Sequence, residues 1–130
     1  MNRITSIRKD WRLIETLMEE NRSILDIGCG DGMLMEQLEK NINAKTHGIE
    51  LDRNLASKAI TKGFNVIHGD AEIDLAQYSN HSFDYVILSQ TLQAMMKPKD
   101  ILSELLRIGS KAIVSFPNFG HWKILSLIHI

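Results

Sequence analysis

Short apolar segments alternate with amphipathic helical segments along this chain, and that order restricts the fold more than any other feature. The clearest apolar segment runs from Phe83 to Ser89, and within it Tyr85-Val86-Ile87-Leu88 is unbroken. A continuous apolar run suits a strand that is covered on both faces. Strands that alternate with helices are joined by βαβ crossovers, which give a parallel sheet with helices on both sides. The sequence therefore predicts a doubly wound α/β domain.

Glycine, proline and aspartate mark the ends of the predicted helices. Asp52 is placed to cap a helix that ends near Gly63, and Pro98 opens another helix that Gly109 closes. Two further helices are predicted, one over about Arg8 to Asn21 and one that begins at Asp31. The other predicted strands are Ser23 to Ile27, Lys45 to Glu50, Phe64 to His68 and Lys111 to Ser115.

Size and composition fit a single domain in the cytoplasm. The 130 residues suffice for one buried core, and apolar residues make up 44% of them. The net charge is −1 and no basic stripe stands out, which argues against a nucleic-acid partner. Charged residues interrupt the N-terminal segment before an apolar run develops, and no segment approaches the roughly 18 apolar residues of a membrane span. We expect neither secretion nor a membrane partner.

The first predicted strand runs directly into a glycine-rich turn, Asp26-Ile27-Gly28-Cys29-Gly30-Asp31-Gly32. Glycine lacks a Cβ, so this backbone can turn tightly and approach a ligand closely. The helix that follows offers unpaired N–H groups and a partial positive charge. In open α/β sheets, ligands bind beyond the carboxyl ends of the strands, near the point where strand order reverses. The turn therefore predicts a ligand site.

Two acidic residues at neighbouring strand ends indicate a nucleoside. Glu50 lies twenty positions beyond Gly30, where a carboxylate can accept from both ribose hydroxyls. Asp70 ends the third strand and is placed to receive an adenine amino group. A Walker loop would need Gly-Lys-Ser/Thr, and a dinucleotide fingerprint would need a glycine where Met33 stands. We predict S-adenosylmethionine, which has no pyrophosphate, with a purely structural turn as the alternative.

The glycine pattern, Glu50, Gly69-Asp70 and the strand after Phe83 together resemble the class I methyltransferases. More narrowly, residues 83–93 and 111–122 resemble the MetW family of methionine-biosynthesis proteins. The resemblance implies strand order 3-2-1-4-5 and S-adenosylmethionine as cofactor, with the glycines at its amino-acid part. The predicted cofactor-binding residues are Asp26, Gly28, Cys29, Gly30, Gly32, Glu50, Leu51, Asp70, Ala71 and Ser89.

The same resemblance implies a bacterial protein that acts beside a homoserine O-acyltransferase. Members of the family continue well past Trp122, so we expect residues 1–130 to form one domain that lacks the C-terminal strands of the sheet. Two hypotheses stay open at this point. The chain is either a methyltransferase-type enzyme or a non-catalytic partner or regulator of the acyltransferase.

No residue receives a catalytic assignment from the sequence. Methyl transfer from a sulfonium is an in-line displacement, in which positioning and electrostatics supply most of the acceleration. His121 is the best candidate for a base because it follows the fifth strand, with a surface or packing histidine as the alternative. Cys29 is interpreted as a small packed residue rather than a reactive thiol. The remaining histidines form no spaced set with carboxylates or with Cys29, so no metal site is predicted.

Overall fold

A computed structural model describes residues 11–88, 97–116 and 121–126. These form a six-stranded sheet in the order β3-β2-β1-β4-β5-β6. The five parallel strands and the last, antiparallel strand are β1 (Ser23–Ile27), β2 (Lys45–Glu50), β3 (Val66–His68), β4 (Phe83–Leu88), β5 (Gly109–Phe116) and β6 (His121–Ser126). The predicted doubly wound sheet with order 3-2-1-4-5 is confirmed. Strand β6 is an addition that the sequence did not predict.

Helices connect the parallel strands. They are α1 (11–16 in the described part), α2 (Met33–Ile42), α3 (Arg53–Thr61), α4 (Ala71–Asp74) and α5 (Pro98–Ile108), with a 3₁₀ helix at Leu75–Gln77 after α4. The predicted helix boundaries at Asp52, Pro98 and Gly109 are confirmed, and the Asp52 side chain accepts from the backbone N–H of Leu55. Among the helices described, none has both the length and the apolar character that crossing a membrane would require.

Four predicted elements have different boundaries in the structure. Strand β5 covers Gly109–Phe116 rather than Lys111 to Ser115, and the other three are α2, β3 and the first helix. Helix α2 begins at Met33 rather than Asp31, because Gly32 has a φ of +90° and stands outside the helix. Strand β3 begins at Val66 rather than Phe64, because the Phe64 N–H donates to the carbonyl of Ala59 and closes the end of α3. The first helix ends at residue 16, well short of the predicted Asn21.

Alternate residues of the central strands build one core on each face of the sheet. On one face, Leu25, Val86 and Leu88 pack in a cluster with residues of α4 and α5. On the other face, Ile24 and Ile87 pack in a cluster with residues of α1 and α2. The unbroken apolar run of β4 is therefore explained, since both of its faces are covered.

Arg107, in the last turn of α5, fastens the segment that leads from α4 into β4. Its guanidinium donates to the carbonyls of Leu75 and Tyr78 at 3.0 and 2.7 Å and to the side chain of Asn80 at 2.9 Å. It also pairs with Glu104 one turn earlier in the helix. One planar group thus satisfies several acceptors of an irregular segment.

Candidate functional site

The glycine-rich turn has the left-handed backbone that its sequence suggests. Gly28, Gly30 and Gly32 have φ values of 75°, 60° and 90°, a region that residues with a Cβ seldom adopt. The N–H groups of Gly28 and Cys29 both donate to the carbonyl of Ile49, at 2.8 and 3.1 Å. The turn is therefore tied to the end of β2, where Glu50 lies.

Packing around the turn is tight on one side and open on the other. A Cβ on Gly32 would lie 2.8 Å from the ring of Phe64. A Cβ on Gly48, within β2, would lie 2.7 Å from Sγ of Cys29 and 2.9 Å from Sδ of Met35. Beside Gly30, within the described part of the chain, no heavy atom other than those of Gly30 and its two chain neighbours comes within 4 Å of the corresponding position. The turn therefore has a packed inner side and free space at Gly30.

Glu50 closes β2 and is nearly buried, with 9% of its surface exposed. Its Oε1 accepts from the Gly30 N–H at 2.7 Å, and its Oε2 accepts from the Asp52 N–H at 2.8 Å. The carboxylate thus links the glycine turn to the start of α3. A carboxylate oxygen has two acceptor positions, so these two bonds leave room for a further donor on each oxygen. Sequence spacing indicated where Glu50 lies but not that it supports the turn.

Asp26 is the most buried carboxyl group of the site, with 1% of its surface exposed. Its Oδ1 has no hydrogen-bond partner among the residues that the structure describes. Burial, together with the neighbouring negative charge of Glu50, raises the pKa of the Asp26 carboxyl from its ordinary 3.8 to about 7. At neutral pH this group is therefore divided between its neutral and charged forms.

Cys29 is packed rather than reactive. Its side chain is buried against Gly48, as the short distance to that residue's Cβ position indicates. Burial and the charges of Asp26 and Glu50 raise the pKa of its thiol to about 12, so the nucleophilic thiolate is scarce at neutral pH. Gly48 was missed in the sequence, although a glycine inside a strand is a signal of close approach by another group.

The remaining predicted residues lie at the ends of β2 and β3. Leu51 directly follows Glu50 and is 66% exposed. The Gly69 N–H donates to the carbonyl of Glu50 at 3.0 Å, which holds the two strand ends together. Asp70 caps α4, since its Oδ1 accepts from the N–H of Glu72 at 3.0 Å, and Ala71 is buried as the first residue of that helix.

Two predicted residues lie beyond what the structure describes in side-chain detail. Ser89, predicted at the end of the fourth strand, is outside the described residues. His121 is the first residue of β6 and pairs with Phe116 in the antiparallel ladder. Its role as a base stays a prediction. Among the described residues, backbone hydrogen bonds hold the ends of β1, β2 and β3 together, and the carboxyl groups of Asp26 and Glu50 are close enough to interact.

Comparison with known sequences identifies the family. The profile of the methionine biosynthesis protein MetW matches residues 8–130. The bifunctional methionine biosynthesis protein MetXA/MetW of Rhodopirellula baltica is 34% identical over 125 residues, which cover 89% of this chain and 20% of that protein. This chain thus spans about a fifth of that relative.

Solved structures share the fold at low sequence identity. A TehB-like SAM-dependent methyltransferase of Corynebacterium glutamicum has a TM-score of 0.70 and 23% identity, over 88% of this chain and 65% of that one. The Haemonchus contortus phosphoethanolamine N-methyltransferase 2, in complex with S-adenosyl-L-methionine, has a TM-score of 0.72 and 20% identity, over 82% of this chain and 27% of that one. With the family profile and the observed strand order, these matches show that the chain belongs to the MetW family and has the Rossmann-like fold of class I methyltransferases.

Proposed function

We propose that this chain binds S-adenosylmethionine at the glycine turn and serves a methyltransferase-type function in methionine biosynthesis. One observation carries the proposal: Glu50 reaches the Gly30 N–H at 2.7 Å beside open space and keeps an acceptor position on each oxygen. Two such positions suit the two adjacent hydroxyls of a ribose. The fold supports the same assignment, since the turn lies at the carboxyl ends of the parallel strands, where such sheets bind ligands.

The other residues of the turn and of the strand ends contact different parts of the ligand. Glu50 receives the ribose hydroxyls, while Leu51, Asp70 and Ala71 surround the adenine. The amino-acid part lies along the turn, against Asp26, Cys29 and the glycines, and Ser89 stays a predicted contact. When bound, the cofactor supplies a methyl group on a sulfonium. The chain's own contribution is to hold and orient it and to place carboxyl groups near its positive charge.

A second function, partnership with a homoserine O-acyltransferase, is favoured by a separate observation. The Rhodopirellula baltica relative is described as a bifunctional MetXA/MetW protein, so a MetW portion there shares one polypeptide with a second activity. Family members that are separate polypeptides would instead bind the acyltransferase non-covalently. In that case this chain acts in the cytoplasm as a single domain that modulates the acyltransferase, with S-adenosylmethionine as the pathway signal.

Calorimetric titration tests the ligand assignment. S-adenosylmethionine should bind, and NAD should not. Replacing Glu50 with alanine should weaken S-adenosylmethionine by about 1–3 kcal/mol, because ribose hydroxyls and the Gly30 N–H lose their acceptor. Glu36→Ala, an exposed carboxylate in the first turn of α2, is the matched control and should leave affinity unchanged.

Two outcomes would contradict the assignment. Binding of NAD alone would overturn it, and so would full affinity in the Glu50→Ala variant. Capture of a purified homoserine O-acyltransferase by the tagged chain, with and without S-adenosylmethionine, then separates a partner from a free enzyme.

A further inference from the structure

Asp26 has a feature that contacts to ribose and adenine do not explain. Its carboxyl group is almost wholly buried, and Oδ1 lacks a hydrogen-bond partner within residues 11–88, 97–116 and 121–126. An unpartnered oxygen in the interior is costly when charged, so it needs either a proton or a cation. The position is the last but one of β1, directly before the glycine turn.

The elements packed around Asp26 determine whether its carboxyl group carries a proton or pairs with a cation. Strand β2 contributes the negative charge of Glu50, and the turn contributes the thiol of Cys29. The register neighbour on β4 is the apolar Ile87, and the neighbour on β2 is Gly48. Across the described residues, no cation contributes to the electrostatic environment of Asp26. The surroundings therefore favour a proton on Asp26 when no ligand is bound.

Glu50 is the better place for the negative charge of this pair. Both of its oxygens accept backbone N–H groups, at 2.7 and 2.8 Å, and such bonds stabilise a carboxylate. Asp26 has an oxygen without any such bond. The hydrogen bonds therefore favour the negative charge on Glu50 and a proton on Asp26.

We propose that Asp26 is a proton-linked receptor for the ammonium group of the ligand, so that binding at the turn drives one proton from Asp26 into solvent. The inference rests on the proposed function, because the ammonium belongs to the amino-acid part of S-adenosylmethionine. In the exchange, the O–H bond of Asp26 breaks, the proton passes to buffer, and the carboxylate pairs with the incoming cation. No electron transfer is involved, and charge balances.

The raised pKa of Asp26 sets the pH range of the effect. At pH 6 the empty site holds close to one proton on Asp26, and it holds fewer as the pH passes 7. Ligand affinity should fall by up to about tenfold for each pH unit below 7, because only the ionised carboxyl binds the cation. The ligand's α-amino group, with a pKa of about 7.7–8.0, stays charged throughout pH 5.5–7.

Calorimetry in buffers of different ionisation enthalpy measures the released proton directly. At pH 6, S-adenosylmethionine and S-adenosylhomocysteine, which share the ammonium, should each release close to one proton. The fragment 5′-methylthioadenosine, which lacks the amino-acid part, should release none. Asp26→Asn should abolish the release, whereas Asp31→Asn, a change on the same turn at a partly exposed residue, should retain it.

The outcomes separate this inference from the function on which it rests. If S-adenosylmethionine does not bind at any pH, the proposed function fails. If it binds without releasing a proton, or if 5′-methylthioadenosine releases as many, the proton-linked role of Asp26 is wrong while the ligand assignment stands. The comparison of ligands needs only the wild-type chain, so it decides the question even if Asp26→Asn does not fold.

Discussion

Replacing Asp26 with asparagine should change how the stability of the ligand-free protein depends on pH. In the folded chain the pKa of Asp26 is about 7, against 3.8 in the unfolded chain, so the folded state holds the proton more tightly. The stability that this proton contributes is complete below pH 3.8 and is lost as the pH rises through 7. Within that interval each pH unit lowers the free energy of unfolding by up to about 1.4 kcal/mol, and by less close to pH 7.

The expected difference is therefore about 2 kcal/mol between pH 5 and pH 7. Over that range wild type should lose this much stability relative to Asp26→Asn. The amide has no titration here, and any destabilisation that it causes is a constant offset that leaves the slope unaffected. Urea unfolding followed by circular dichroism at pH 5, 6 and 7 measures both proteins. Parallel stability profiles would refute the reasoning, because they would mean that Asp26 is already ionised at pH 5 in the folded state.

Two further predictions concern packing and the irregular segment, and urea unfolding measures both. Gly48→Ala should destabilise by about 2–3 kcal/mol, because its Cβ would lie 2.7 Å from Sγ of Cys29. Gly63→Ala should act through its φ of +96° alone, at about 1 kcal/mol, and an equal effect of the two variants would contradict the packing argument. Arg107→Ala should destabilise by about 1–3 kcal/mol, because the carbonyls of Leu75 and Tyr78 lose a donor. Arg107→Lys should be destabilised as well, since an ammonium cannot reproduce the planar set of donors of a guanidinium. Wild-type stability in Arg107→Lys would show that the positive charge alone matters.

The fold was largely predictable because its signals are local. The apolar run of β4, the cap at Asp52 and the boundary residues Pro98 and Gly109 each act over a few positions. Strand β6 was not predictable in this way, because its pairing depends on the edge that β5 offers. The start of α2 was misplaced because Asp31 is a common helix-capping residue, while the left-handed Gly32 delays the helix.

The position of the site could be predicted from the sequence, but the hydrogen bonds and the burial of its carboxyl groups could not. Spacing placed Glu50 next to the glycine turn, yet its hydrogen bonds to the Gly30 and Asp52 N–H groups depend on how the strands end in space. The buried, unpartnered oxygen of Asp26 has no local signature, since it results from three strands and a turn together. Gly48 is different: a glycine within a strand was a usable signal for close packing.

The reversed direction of β6 also determines where additional polypeptide would be attached. The glycine turn lies where the parallel strands finish, whereas Ser126 is paired with Lys111, close to where β5 starts. A module joined downstream of β6 would therefore be tethered at the opposite rim of the sheet. A fused module at this rim would therefore begin away from the glycine turn, where we propose that S-adenosylmethionine binds.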